Sequence, residues 1–418
     1  MSRKVSRRSF NFDLPLVLNA GYRALSHSSA ATADPLSIPS TVSHPVVPIA
    51  SNRVRNLNDL LEVKRAEHGL PAVTALTLSR GQIVAKGETG MRKAGTSVIV
   101  RPADRWHIGS CTKAMTATLI GALVERGVLE WDTTIYSALP SLREQMLSAY
   151  QNVTVEMLLG HRAGLPRGHE VPAAWRYTWK REDSPVTHRR SVSAMMLKNE
   201  PAYTPGRGYG YSNMGYCIAG HIAEVVTGQP WEMLIQNLVF EPLGIISASP
   251  GPTYASADVE SPWGHQRDNT PIEPSAETDY PAAFNPGGGN LHISMTDWSR
   301  FIAEHLKGAR GEHGQVLRAA TYDRLHRGMP TGDGDSYALG WGVSKRSWAR
   351  GDNGGSGKCL NHSGTILSWY SQVWVAPERD IAVMCATNIG DRNRGSAVSI
   401  GEKINDVVWS VISEELNA

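Results

Sequence analysis

The stretch His107-Ile108-Gly109-Ser110-Cys111-Thr112-Lys113 runs directly into the segment 114–127, which is apolar on almost every face. This pattern predicts a helix that is buried on most sides and that ends at Gly127. Ser110 then lies at the helix N-terminus, where free backbone N–H groups and the helix dipole favour developing negative charge. The sequence therefore places a serine where nucleophilic chemistry is supported.

Lys113 lies one helical turn after Ser110, so the two side chains are expected to meet. Among apolar neighbours a lysine ammonium is poorly solvated, and its pKa should fall until the neutral amine can accept the serine proton. Cys111 is the next residue along the helix and points about 100° away, so we interpret it as a packing residue. Ser110 and Lys113 are thus a candidate nucleophile and base.

Composition limits the other classes of function. The 418 residues can bury a large core and suggest about two or three domains or subdomains. A net charge of only +3, without a basic stripe, argues against a nucleic-acid partner. The sequence has no run of 18 or more apolar residues, which predicts no transmembrane segment. Its four cysteines include no Cys-x-x-Cys pair, which argues against a zinc cluster or a redox dithiol, while a bridge between distant cysteines stays open. We expect no metal site and no cofactor.

The N-terminal residues 1–50 differ from the rest of the chain. Ser6-Arg7-Arg8-Ser9-Phe10 is similar to the start of a twin-arginine export signal, and Ala31-Thr32-Ala33 to a cleavage site. Asp13, Pro15 and Arg23 interrupt the apolar segment that such a signal needs. We interpret this part as a leader. The same stretch, rich in Arg and Ser, could also be an organellar transit peptide or a disordered leader. An exported, periplasmic location and a cytoplasmic one both stay open, and so does cleavage of the N-terminus.

The order of elements predicts a mixed α/β (α+β) fold whose single sheet is assembled from both ends of the chain. Residues 51–135 and 285–418 would form the α/β domain, and 136–284 an inserted, mostly helical domain. We expect the helix after Ser110 to cover the sheet. The predicted helices are 56–68, 153–159, 216–226, 295–306 and 399–415, and the predicted strands are 73–78, 82–85, 337–343, 371–375 and 381–387.

Tyr211-Ser212-Asn213 follows the glycine-rich run 206–210, a loop that can hold a tyrosine in place. Next to a lysine ammonium, the anionic form of the Tyr211 phenol would be stabilised, so Tyr211 is a candidate to relay a proton to the leaving group. The Asn213 amide would orient Lys113 or bind a substrate carbonyl.

A further candidate is His362-Ser363-Gly364-Thr365, at the start of a strand pair. The N–H groups of Thr365 and Ser110 would together form an oxyanion hole, and His362 would donate a hydrogen bond to substrate.

Two loops between these motifs also contain functional residue types. Trp175, Tyr177 and Trp179 crowd one loop and predict a pocket rim. His161, His169 and Glu170 lack the spacing of metal ligands, so we interpret them as ordinary loop residues.

Ser110-x-x-Lys113, Tyr211-x-Asn213 and His362-x-Gly364, in that order, resemble the three motifs of the penicillin-recognising serine hydrolases. The likeness is to the class C β-lactamase type, which includes family VIII carboxylesterases, D-stereospecific aminopeptidases and DD-carboxypeptidases. It extends over about 55–415 and includes the phrases 155–161 and 339–342. The resemblance implies a β-lactamase-like fold, with an antiparallel sheet flanked by helices and an inserted helical domain. It also implies an acyl-enzyme on Ser110, with Lys113 and Tyr211 sharing the acid–base work.

The third motif departs from the Lys-Thr-Gly that β-lactamases of this type usually carry. A histidine is mostly neutral at pH 7 and anchors a substrate carboxylate less strongly than an ammonium. We therefore predict a carboxylesterase or lactonase acting on a small ester. The alternatives are a D-amino-acid peptidase or DD-carboxypeptidase acting on an amide, a β-lactamase, an acyltransferase, and a non-catalytic ligand-binding protein. The sequence leaves the acyl group, the leaving group and the oligomeric state open.

Overall fold

A nine-stranded sheet forms the centre of the fold in the computed structural model, which describes residues 54–180, 183–250, 259, 261–275, 280–366, 368–390 and 399–417. The predicted leader, 1–50, lies outside these residues. The strands are β1 (Arg55–Asn56), β2 (Ala72–Ser79), β3 (Gln82–Gly90), β4 (Arg105–His107), β5 (Ser249–Pro250), β6 (Gly264–His265), β7 (Pro271–Ile272), β8 (Leu291–Ser294), β9 (Met329–Pro330), β10 (Ser336–Tyr337), β11 (Gly342–Lys345), β12 (Lys358–Ile366), β13 (Trp369–Ala376) and β14 (Ile381–Thr387). The helices are α1 (Asn58–His68), α2 (Thr112–Glu125), α3 (Ile135–Ala138), α4 (Val155–Leu159), α5 (Pro172–Thr178), α6 (Pro185–Met196), α7 (Asn213–Thr227), α8 (Trp231–Ile235), α9 (Met295–Ala309), α10 (Ala319–Leu325) and α11 (Ile400–Leu416).

The large sheet has the strand order β1-β3-β2-β14-β13-β12-β11-β10-β9. Its neighbouring strands are antiparallel except for β1 and β3. Strands from the beginning and the end of the chain meet where β2 pairs with β14, with Ala75 opposite Cys385. This confirms the prediction of one sheet assembled from both ends of the chain.

Helices cover both faces of this sheet. Because successive strand residues point to opposite faces, Val73, Ala75, Val383 and Cys385 share one face, and they pack with α1 and α11 in a common apolar cluster. Helix α9 contacts β2 and β14. The expectation that α2 would cover the sheet was wrong, since α2 packs among α7, α8 and α10. Every residue from 112 to 123 is buried, so this helix needs neighbours all round, whereas a sheet covers one side only.

The helices α3 to α8 follow one another between β4 and β5. The prediction of a mostly helical segment in the middle of the chain is therefore confirmed, while its status as a separate domain with the bounds 136–284 stays a prediction. Among the described residues, none of the helices is long and apolar enough to cross a bilayer.

The predicted strand 337–343 was wrong, because β10 and β11 form a hairpin there. Gly340 turns the chain with φ +85, a conformation that favours glycine. A Cβ on Gly340 would lie only 2.7 Å from the backbone of Ala114, so the turn packs directly on the first residues of α2. The hairpin thus supports the helix that carries Lys113.

Candidate active site

Ser110 lies in a tight turn, Gly109–Cys111, between β4 and α2. The turn is fixed by His107, whose Nδ1 accepts the Gly109 N–H at 2.9 Å and whose Nε2 donates to the Gly289 carbonyl oxygen at 2.9 Å. Gly109 has φ +50, and a Cβ there would lie 2.8 Å from the carbonyl carbon of Gly364. Only a glycine at this position lets strand β12 come so close to the serine.

Lys113 is fully buried and joins three segments of the chain. Its Nζ lies 3.0 Å from Ser110 Oγ, 2.7 Å from Asn213 Oδ1 and 2.5 Å from the carbonyl oxygen of Gly287. Burial lowers the pKa of Lys113 to about 7, so near neutral pH a large fraction is the free amine. In that form the amine donates to Asn213 and Gly287 and accepts the Ser110 proton.

Tyr211 is half-buried beside this pair, with its ring centroid 4.9 Å from Lys113 Nζ. It forms a side-chain hydrogen bond with Ser110. Burial raises the pKa of Tyr211 above its ordinary value, and this hydrogen bond only partly offsets the effect. The expected stabilisation of a phenolate was therefore wrong, because burial favours the neutral phenol of Tyr211.

The third motif lies on β12 and contacts the Ser110 turn from the other side. A Cβ on Gly109 would lie 2.8 Å from the Thr365 amide nitrogen, and one on Gly364 would lie 1.9 Å from the Ile108 carbonyl oxygen. These close approaches bring the amide of Thr365 beside the Ser110 turn. Cys111 points toward the same strands, with Sγ 3.4 Å from Ser371 Oγ, in agreement with a packing role. All four cysteines are buried free thiols.

His362 is buried and uses both ring nitrogens inside the protein. Its Nδ1 donates to the Ser363 carbonyl oxygen at 2.7 Å, so Nε2 accepts from the Tyr337 hydroxyl at 3.0 Å. Burial and the nearby Lys113 lower the pKa of His362 to about 3. The expected hydrogen bond from His362 to substrate is thus contradicted, because this neutral ring has no N–H left to donate.

Sequence reasoning missed His161, which lies directly behind Tyr211 with the two ring centroids 4.3 Å apart. Its place in the phrase 155–161 was the one available signal, since a lone histidine in a loop predicts nothing specific. His169 and Glu170 form part of the turn 168–170, where Glu170 caps the Arg167 amide.

One group in the described part of the chain has the geometry to hold a metal ion: Glu67, His68 and Asp406. It lies on α1 and α11, which pack against the sheet rather than against α2. The Lys64 ammonium is 2.7 Å from Asp406 Oδ2 and already supplies a positive charge there.

A small cleft lies beside the turn between β12 and β13. The described residues that line it carry no charged side chain; they are His107, Gly264, Ile272, Pro274, Tyr280, Asn290, His292, Ile366, Ser368 and Trp369. Trp175 and Trp179 contact Tyr280, one of these lining residues, with ring centroids 6.4 and 5.7 Å apart, and their role as a pocket rim stays a prediction. The Tyr177 hydroxyl donates to Asp183.

The model of the Beta-lactamase family matches residues 57–400 of this chain. Penicillin-binding protein 4 of Amycolatopsis lactamdurans is 28% identical over 78% of this chain and 83% of its own length. Protein flp of Staphylococcus aureus (strain COL) is 20% identical over 82% of this chain, which spans only 64% of that relative.

Two solved structures show the same fold. The octameric penicillin-binding protein homologue from Pyrococcus abyssi superimposes with a TM-score of 0.68 at 21% identity, covering 86% of this chain and 76% of that one. D-alanine carboxypeptidase AmpC from Burkholderia cenocepacia superimposes with a TM-score of 0.65 at 17% identity, covering 85% and 99%. With the family match over most of its length, this chain belongs to the Beta-lactamase family and is a serine hydrolase with the β-lactamase-like fold.

Proposed function

We propose that this protein hydrolyses small uncharged esters, lactones included, through an acyl-enzyme on Ser110. The observation that carries the proposal is the buried Lys113 amine 3.0 Å from Ser110 Oγ, with its pKa lowered to about 7. A serine hydroxyl is a weak nucleophile, and a neighbouring base that is neutral at working pH activates it.

In the acylation step, Lys113 takes the Ser110 proton while Oγ bonds to the ester carbonyl carbon. The N–H groups of Ser110 and Thr365 stabilise the oxyanion of the tetrahedral intermediate. When the ester C–O bond breaks, the Tyr211 phenol protonates the departing alkoxide, and the Lys113 ammonium restores the phenol proton. Water then attacks the acyl carbon with Lys113 as base, which releases the acid and regenerates Ser110.

The preference for an uncharged substrate is supported by the third motif. A substrate carboxylate, as in penicillins or D-alanyl peptides, is best held by a cation, and His362 is neutral with both nitrogens engaged. A carboxylate would lose its hydration there without gaining a partner, whereas an ester loses little.

The test is incubation with p-nitrophenyl butyrate, nitrocefin and a D-alanyl peptide in parallel, followed by intact-protein mass spectrometry and assay of product. We expect turnover of the ester that Ser110→Ala abolishes, with an unchanged circular dichroism spectrum. Tyr211→Phe should slow turnover of an alkyl ester such as ethyl butyrate by about 10²–10⁴-fold, because its alkoxide must be protonated as it leaves. Ser110-dependent turnover of nitrocefin or the peptide alone would replace the esterase assignment with a β-lactamase or D-peptidase. An adduct without turnover would indicate an acyltransferase, and the absence of both would favour a ligand-binding protein.

A further inference from the structure

His161 holds the backbone on both sides of Tyr211. Its carbonyl oxygen accepts the Gly210 N–H at 2.9 Å, and its ring Nδ1 accepts the Ser212 N–H at 3.2 Å. The same carbonyl also accepts the Tyr203 hydroxyl at 2.8 Å. One residue therefore fixes the backbone N–H groups of the two residues that flank the tyrosine.

The imidazole of His161 also fixes the Tyr211 side chain. The two rings lie 4.3 Å apart with an angle of 40° between their planes. Tyr337 and Tyr216 pack on the same imidazole at 4.7 and 5.4 Å, and only 2% of His161 is exposed. An imidazole held on several sides is a rigid support, so the phenol has little freedom to turn away from Ser110.

The protonation state of His161 fits a supporting role rather than proton transfer. Since Nδ1 accepts an amide N–H, the ring proton is on Nε2. Burial and the positive Lys113 nearby lower the pKa of His161 well below its usual range, so the ring is neutral. Nε2 has no hydrogen-bond partner among the described residues, and His161 thus has no polar link to Lys113 or the Tyr211 hydroxyl.

The left-handed backbone of His161, with φ +57, is part of this geometry. It lets one residue direct both its carbonyl oxygen and its ring toward the 210–212 segment. This left-handed conformation is energetically unfavourable for residues other than glycine, and asparagine tolerates it better than most. Asparagine also has a side-chain oxygen in the place of Nδ1, which makes it a conservative replacement without the ring.

We propose that His161 is a positioning residue for Tyr211, and that protonation of the leaving group depends on it. This inference rests on the donor role of Tyr211 in the proposed function. It predicts that substitution of His161 lowers kcat most for esters whose leaving group must be protonated as it departs. An ethyl ester, whose alkoxide must be protonated as it leaves, depends on the donor, whereas a p-nitrophenyl ester releases a stable anion and does not.

The experiment compares ethyl butyrate with p-nitrophenyl butyrate for the wild type, His161→Ala and His161→Asn. We expect kcat for the ethyl ester to fall about 10²-fold in His161→Ala, as for loss of a general acid. The p-nitrophenyl ester should lose less than about tenfold, with KM nearly constant for both, and His161→Asn should recover part of the loss. Equal losses for both esters would overturn the proposal.

A double-mutant cycle separates positioning from general damage to the fold. In the Tyr211→Phe background, His161→Ala should have no further effect on the ethyl ester, because the donor it positions is already absent. Full additivity would overturn the proposal. A crystal structure of His161→Ala, or of His161→Gly if the alanine variant does not fold, supplies a readout independent of substrate; glycine favours the left-handed backbone and also removes the ring. The phenol should be displaced from Ser110, and an undisplaced phenol would refute the positioning role even if the enzyme proved not to be an esterase.

Discussion

Gly109→Ala should impair catalysis through a contact that can be measured in the structure. The new Cβ would lie 2.8 Å from both the Gly364 carbonyl carbon and the Thr365 amide nitrogen, whereas ordinary contacts begin at 3.4 Å. The Ser110 turn and β12 would have to separate by about 0.6 Å, because neither neighbour is a flexible side chain. The left-handed φ of +50 adds about 1–2 kcal/mol of backbone strain.

This separation acts directly on the proposed oxyanion hole, whose two N–H groups lie on the two segments that are pushed apart. Loss of one such donor costs about 10²–10³-fold in kcat. We therefore expect kcat for p-nitrophenyl butyrate to fall by about 10²-fold in Gly109→Ala, with KM changing only a few-fold. Labelling with a fluorophosphonate would count the intact Ser110 sites, so that misfolded protein does not contribute to the loss.

Gly127→Ala is the matched control. Gly127 also has a left-handed φ, +70, but a Cβ there would meet no atom within 4 Å. This variant shares the backbone strain without the contact, and should lose about 1 kcal/mol of stability while keeping kcat. The reasoning fails if Gly109→Ala retains kcat within threefold of wild type with all sites intact, or if Gly127→Ala loses as much activity.

Three further predictions follow from the charges. The value of kcat/KM should rise with pH as Lys113 loses its proton, with a midpoint near pH 7. Asn213→Asp should move that midpoint upward by about one pH unit or more, because a carboxylate beside Lys113 favours the ammonium. An unmoved midpoint would exclude Lys113 as the base. Arg189→Met should lower the free energy of unfolding, measured by urea titration, by about 3–5 kcal/mol. The substitution leaves Glu224, which is buried, and Glu232 without their cationic partner. A loss below 1 kcal/mol would contradict this reasoning. His305 and His326 are buried and have lowered pKa values, so the unfolded chain binds protons more readily than the folded one. The free energy of unfolding should therefore fall below pH 6.5, by about 1.4 kcal/mol for each histidine at pH 5.5. The double variant His305→Asn/His326→Asn should show a correspondingly weaker pH dependence of stability, and an equal dependence would refute the assignment.

Much of the fold follows from local patterns in the sequence. The run after Ser110 is apolar on every side, which predicted a buried helix, and glycines with left-handed φ end α1 and α7 at Gly69 and Gly228. Strand β14 occupies 381–387 as predicted, because its apolar residues run together without interruption. Such features depend on residues that are close together in the chain, so they can be predicted from the sequence alone.

The features that the sequence did not reveal depend on distant partners. The local pattern around Gly340 predicts a strand, whereas the structure has a turn there that packs on the start of α2. His362 looks like a hydrogen-bond donor to substrate until Tyr337 occupies its Nε2. The Tyr211 phenol seemed suited to ionisation beside a lysine, but burial outweighs that effect. In each case a long-range contact decides the chemistry of a residue whose local sequence suggests something else.

The pairing of β2 with β14 sets the timing of folding during synthesis. Ala75 and its partner Cys385 are about 310 residues apart in the chain. At roughly 5–20 residues per second, a ribosome needs about 15–60 s to produce the partner after the first strand has emerged. Throughout that interval β2 presents an unpaired apolar edge, which is the kind of segment that aggregates or recruits chaperones. Ser110 meets its third motif on β12 after a somewhat shorter wait, so a nascent chain that stops short of β12 has neither a complete sheet nor a complete active site.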